Sequence, residues 1–274
     1  MGGRHDNTRL AVPGCTLAWP LLDLTPPWLT APETIVMHHG IGANQDIFAG
    51  WLPALVHTHR ILRFDMRGHG GSERPEAAVA IDIDRLGDDL LAVMDAAGVN
   101  RAHLMGESIG GTIVLNAALR VPGRVRTLTI SNGAHLGASI QSVAGWQRMI
   151  EQHGMAGWSA HMMHARFHDG AISPEACRWF EAQQATACPD TVLRMLRALL
   201  GADLVGKLPN LQPKLLLMHP DDSPFIPVSV AAGLRDLVPD ARLHVIGHAR
   251  HGLPFSHATV CAGLLADFIG EQAR

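Results

Sequence analysis

"AHLMGESIGGTIVLNAAL" (residues 102–119) decides how the rest of the chain is read. A short apolar run ends in Gly-Glu-Ser-Ile-Gly, and an apolar stretch of helical spacing follows. Such a junction is expected where a strand turns sharply into a helix, with Ser108 strained at the apex and Gly106 and Gly110 giving the backbone room to turn. That arrangement is a nucleophile elbow. Short Gly-x-Ser-x-Gly matches also occur by chance in surface turns, so the surroundings must decide.

Apolar, strand-like runs alternate with helix-period segments on both sides of the elbow, the pattern of a mostly parallel sheet flanked by helices. Strands are expected at 34–40 (TIVMHHG), 60–68, 125–133, 213–220 and 241–248. Helices are expected across "DIFAGWLPALVHT", over 83–98 with Gly98 closing the end, and around "HATVCAGLLADFIG". From about 134 to 210 the alternation stops. Helical stretches such as "VAGWQRMIEQHG" and "DTVLRMLRALLG" fill that interval, and a structureless loop of such length is improbable in a compact domain. The expected organisation is a core of residues 1–133 and 211–274, with a helical cap at 134–210.

With 274 residues the chain has material for a large core. A net charge of −3 and 17% charged residues leave no basic stripe for nucleic acid. The opening "MGGRHDNTRL" lacks an apolar leader, and no run reaches about 18 apolar residues, so no membrane association is expected. Four scattered cysteines without a CxxC pair suit reduced thiols and a cytoplasmic setting. Tyrosine is absent, which removes it as a catalytic acid or oxyanion donor.

Parallel sheets place their sites beyond the carboxyl ends of strands, and three such ends complement Ser108. In "HHGIG" (38–42), the amide of Ile41 is placed to join that of Ile109 in holding a developing oxyanion. In "IGHARHGLPFSH", His248 and His251 follow a strand and His257 begins the last helix; His251 is the preferred base, from the position of "HGLP" where such a loop passes the elbow and from the Ser…Asp…His order. In "LLLMHPDDSPFIP", Asp221 or Asp222 could orient that imidazole, and either could instead cap the turn before Pro224. "RFDMRGHGGS" offers Asp65 and Arg67 to fix loop backbone. Trp146, Met155, Trp158, Met162, Met163, Phe167 and Trp179 of the cap are expected in its core, some of them facing the serine. His161, His164 and His168 share a helix face at metal-compatible spacing, but no local carboxylate or cysteine completes a set, so neither metal nor cofactor is expected.

From about residue 34 onward the chain resembles the α/β-hydrolases, and among them most the 3-oxoadipate enol-lactone hydrolases and small-ester hydrolases. The resemblance is carried by "RILRFDMRGHGGS", "LGDDLLAVMDAAGVNRAHLMGESIGG" and "LPNLQPKLLLMHPDDSPFIP". It implies an α/β-hydrolase fold with the cap inserted after the sixth strand, Ser108 as nucleophile, His251 as base, and Ile41 and Ile109 as the oxyanion hole. The implied partner is a small ester or lactone cleaved through an acyl-serine. Carbon–carbon hydrolysis or perhydrolysis on the same residues is the second expectation, and a non-catalytic small-ligand binder the third. Two departures stand out. The family's acid sits in a Gly-x-x-Asp-x-x-x-Pro pattern; here Pro220 replaces the glycine and Ser223 the aspartate, so the acid is expected at Asp222, or Asp221. The proline-bearing segment "CTLAWPLLDLTPPWLTAPE" also fits the family's opening strands poorly.

Overall fold

A computed structural model describes residues 8–272; the polar opening segment 1–7 lies outside them. Seven strands form the main sheet: β3 (Leu21–Leu22), β4 (Thr34–His38), β5 (Arg60–Phe64), β6 (Ala102–Glu107), β7 (Val125–Ser131), β8 (Lys214–Pro220) and β9 (Ala241–Ile246). Their spatial order is β3-β5-β4-β6-β7-β8-β9. Every pairing from β5 to β9 is parallel; only β3, at the edge, runs antiparallel. β4 and β6 are buried along their whole length, as central strands covered on both faces must be.

The proline-bearing N-terminal segment does form strands. β1 (Thr8–Val12) and β2 (Cys15–Trp19) make a separate antiparallel hairpin, and Gly14, at φ 68°, supplies the left-handed residue of its turn. Pro20, which has no N–H to donate, divides β2 from β3. The chain nevertheless stays on the sheet edge: the Arg63 amide donates to the Pro20 carbonyl at 3.3 Å and that of Asp65 to Ala18 at 3.0 Å.

Nine helices appear among the described residues: α1 (Leu52–Leu55), α2 (Ile83–Ala96), α3 (Ile109–Arg120), α4 (Trp146–Arg166), α5 (Pro174–Ala185), α6 (Pro189–Leu200), α7 (Val228–Leu237), α8 (Leu253–Ser256) and α9 (Ala258–Gln272). The helix expected across 46–58 is mostly a 3-10 turn, Gln45–Trp51, followed by the short α1. Pro53 explains the break: it has no N–H for the Ala49 carbonyl, which takes the Leu52 amide instead. α2 begins where Asp82 accepts from the Arg85 amide, and Gly98 beyond its end sits at φ 67°.

Between β7 and β8 there is no strand longer than the isolated Leu136–Asp203 bridge, and α4, α5 and α6 occupy the interval. α4 is two helical pieces joined at Gly154, whose φ of 67° and ψ of −175° interrupt the ladder. Its buried stripe, Met155, Trp158, Met162 and Arg166, has helical spacing and faces the carboxyl end of the sheet, packing with Ile41, Ile109 and Phe225. No helix among the described residues is long and apolar enough to cross a membrane.

Candidate active site

Ser108 follows the last residue of β6 and caps α3 with φ 56° and ψ −122°. A side chain in the left-handed region costs of order 1–3 kcal/mol and persists only where the surroundings enforce it. The flanking glycines do this by allowing close approach rather than by turning: neither has a positive φ. A Cβ on Gly106 would lie 2.2 Å from the Gly110 carbonyl oxygen, and one on Gly110 would lie 2.4 Å from that of His38. Strand and helix are thereby pressed together and the serine is pushed out at their junction.

His251 reaches it across the fold. Its Nε2 lies 3.0 Å from Ser108 Oγ. The loop bearing it is held by the C-terminal end of α4, whose last carbonyls have no intrahelical partner. The amides of His251 and Gly252 donate to Ala165 and Arg166 at 3.4 and 2.8 Å, and the Arg250 side chain donates to the His164 carbonyl. Asn132, just past β7 and at φ 54°, donates from Nδ2 to the His251 carbonyl at 2.6 Å.

The expected carboxylate is not the group at His251 Nδ1; Ser223 Oγ is, at 3.2 Å. After Pro220 the chain turns so that residues 221 and 222 point outward and 223 points inward. Asp221 accepts the amides of His248 and Ala249, each at 3.0 Å. Asp222 accepts Arg250 Nε at 3.0 Å, with His168 Nε2 at 3.5 Å. Both carboxylates therefore fasten the histidine loop from outside. Ser223 was legible as the residue standing where an aspartate is usual; the turn that carries its neighbours away was not.

Burial depresses the His251 pKa well below the ordinary imidazole value, with Arg166 and His219 adding like-charge repulsion. Glu107, inside the elbow, is pushed up to about 7 by burial, against the pull of Arg166 and the Gly40 amide. Arg166 itself went unnoticed in the sequence, where it looks like one more charge on an amphipathic helix. It falls on the buried stripe of α4 and is 3% exposed.

The loop containing Ile41 is fixed by two buried histidines whose bonds specify neutral tautomers. His39 Nε2 accepts the Met66 amide at 2.9 Å, and His69 Nε2 accepts that of Gly42 at 3.1 Å. The Nδ1 atoms face the carbonyls of Gly40 and Arg67. Asp65 accepts the amides of Gln45 and Gly71 at 2.8 Å each, while Arg67, paired bidentately with Asp89, donates from Nη1 to the Pro13 carbonyl at 2.8 Å, so both act on loop backbone. Ile109 opens α3 directly after Ser108, and Ile41 shares a pocket with that serine.

That pocket is lined by Ser108, His251 and Arg166 and otherwise by apolar groups, among them Trp146, Met162 and Phe225. Met155, Met163 and Phe167 are buried, while Trp179 is partly exposed and stacks on Phe255. Its cavity volume is about 20 Å³, room for about one water molecule. His161 and His164 lie on the exposed side of α4. Among the described residues the one group with three close metal-capable side chains is Glu33, His59 and His103, at the opposite end of the strands from Ser108. There, His103 Nε2 already bonds Glu33 at 2.8 Å, and Arg126 pairs with the same carboxylate at 2.8 Å.

A parallel sheet with a strained serine at the central strand–helix junction and a histidine brought to it from beyond the last strand is the α/β-hydrolase arrangement, and the chain belongs to that family. Residues 33–158 match the model of the alpha/beta hydrolase fold. The chain is 32% identical to the pimeloyl-[acyl-carrier protein] methyl ester esterase of Methylococcus capsulatus, over 88% of this chain and 96% of that one. It is 28% identical to the 2-hydroxymuconate semialdehyde hydrolase of a Pseudomonas species, over 86% and 87%. Among solved structures, the enol-lactonase from Burkholderia xenovorans shares the fold, with a TM-score of 0.86, 24% identity and 96% and 100% coverage.

Proposed function

We propose that this chain is a serine hydrolase cleaving a small carboxylic ester or lactone through an acyl-serine intermediate. The observation that carries the reading is the 3.0 Å contact between Ser108 Oγ and His251 Nε2 at a strained elbow, inside an apolar pocket. A serine hydroxyl is a weak nucleophile until an adjacent base takes its proton. His251, kept neutral by burial, has a free Nε2 lone pair for that proton when Nδ1–H donates to Ser223. Ser108 attacks the carbonyl carbon, and the amides of Ile41 and Ile109 hold the oxyanion; such a donor is worth about 3–4 kcal/mol in the transition state. His251 returns the proton to the leaving oxygen, and water activated by the same imidazole releases the acid. The helices of 134–210 serve as the cap over the site, and their side chains must shift to admit a substrate larger than the present cavity.

The likeness to a 2-hydroxymuconate semialdehyde hydrolase supports carbon–carbon bond hydrolysis as a second reading on the same residues. The serine at the acid position supports the non-catalytic binder. One experiment separates binder from enzyme: treatment with a small fluorophosphonate, read by mass spectrometry on the native chain and on His251→Ala. Stoichiometric labelling of Ser108 that is lost in the variant is the expected result, followed by turnover on an ester and lactone panel. An unlabelled native chain would remove the enzymatic reading.

A further inference from the structure

We infer that Arg166 is the anchor for an anionic group, a carboxylate carried by the substrate away from its scissile bond. The inference deepens the hydrolase reading above and rests on it for the word substrate; the anion site itself stands on the geometry. Arg166 is buried and lines the same pocket as Ser108 and His251. Its Nε donates to Gln184 Oε1 at 2.6 Å and its Nη2 to the Ile41 carbonyl at 2.7 Å, both neutral acceptors. Within the described residues Nη1 donates to nothing, and no carboxylate lies within ion-pairing distance of the guanidinium. The single charged group that acts on it is Glu107, which makes no hydrogen bond to it and whose own charged form burial disfavours, raising its pKa to about 7.

A buried cation without an ion-pair partner is costly, and proteins retain one where it has a task. The side chain is also held in place. Gln184, which orients it, donates to Ser159 Oγ at 2.9 Å, and the guanidinium lies 5.3 Å from the centre of the Phe180 ring. A guanidinium so fixed loses little freedom when a ligand arrives, and its N–H groups suit a carboxylate. The remaining lining is apolar, so an anion entering this pocket has one favourable place to rest.

The test compares kcat/KM for a 4-nitrophenyl half-ester of glutaric acid with that for 4-nitrophenyl pentanoate, in the native chain, Arg166→Met and Arg166→Lys. The native enzyme is expected to favour the half-ester by tenfold or more, from one charge-assisted contact. That ratio is expected to fall to one or below in R166M and to lie between in R166K. A native ratio near one, or a ratio unmoved by R166M, overturns the inference while leaving the hydrolase reading intact. A second measurement needs no turnover: thermal stabilisation of Ser108→Ala by glutaramate against glutaramide. A shift with the monoanion alone, lost when R166M is added, supports the anchor even if no ester is hydrolysed. Equal shifts, or none with glutaramate, overturn it, and this comparison holds even where R166M does not fold.

Discussion

In the proposed mechanism, Ser223 is the residue on which the chemistry turns. In an aspartate-bearing triad the carboxylate stabilises the imidazolium that forms during reaction, and losing its function lowers kcat about 10⁴-fold. Here a neutral hydroxyl faces Nδ1, so the imidazole is oriented but its positive form is not supported. The loop already directs two amides, of Phe225 and Ile226, at Ser223 Oγ, at 3.4 and 3.3 Å. A carboxylate at this position would find those donors waiting. Ser223→Asp is therefore expected to raise kcat on a neutral ester at least tenfold, and Ser223→Ala to lower it by roughly five- to tenfold, one neutral hydrogen bond's worth. The pH profile follows with the sign fixed by the depressed His251 pKa. His251 stays neutral as pH falls through 6.5, so the acidic limb of kcat/KM is expected below that value. An aspartate at 223 favours the charged imidazole and moves the limb to higher pH. A native limb at or above 6.5, or an unmoved one in S223D, would contradict this account.

At the level of elements, the elbow depends on contact between β6 and α3 at Gly106 and Gly110. Adding one methyl group at Gly106 drives it into backbone, which cannot yield as a flexible side chain could. Gly106→Ala is expected to cost about 3 kcal/mol or more, read as a lowered midpoint in urea. Gly123→Ala, where a Cβ would meet nothing within 4 Å, should change the midpoint little. The end of α4 is a second such joint. Its carbonyls accept from the loop that carries His251, so the end of α4 and that loop are tied together. Glycine within that loop is required as well: a Cβ on Gly252 would lie 2.2 Å from the buried Phe167 ring and 2.8 Å from the Arg166 carbonyl oxygen.

Across the whole molecule, the buried histidines set the response to acid. His38 and His69 are held at about 4 by burial, and His39 is well below its ordinary value too. Below about 6.5 the unfolded chain binds protons there that the folded chain refuses, so stability falls with pH by up to about 1.4 kcal/mol per unit per group. Glu107 opposes this between 4.5 and about 7, keeping in the fold a proton that the unfolded chain releases, but it is one group against several. The denaturation midpoint is thus expected to drop from pH 7 to pH 5; a flat or rising midpoint would contradict the neutral assignments. The alternating strands, the elbow at Ser108, the helical interval after β7 and the order in which serine and histidine occur were legible in the chain alone. Periodicity and glycine spacing lie within a few residues of one another, and chain order needs no folding to be seen. Which residue meets Nδ1, and that Arg166 is a buried cation in the pocket of Ser108, emerged only in three dimensions. The direction of a turn at 220–223 and the partner of a helix face depend on elements far away in the chain, which no local pattern records.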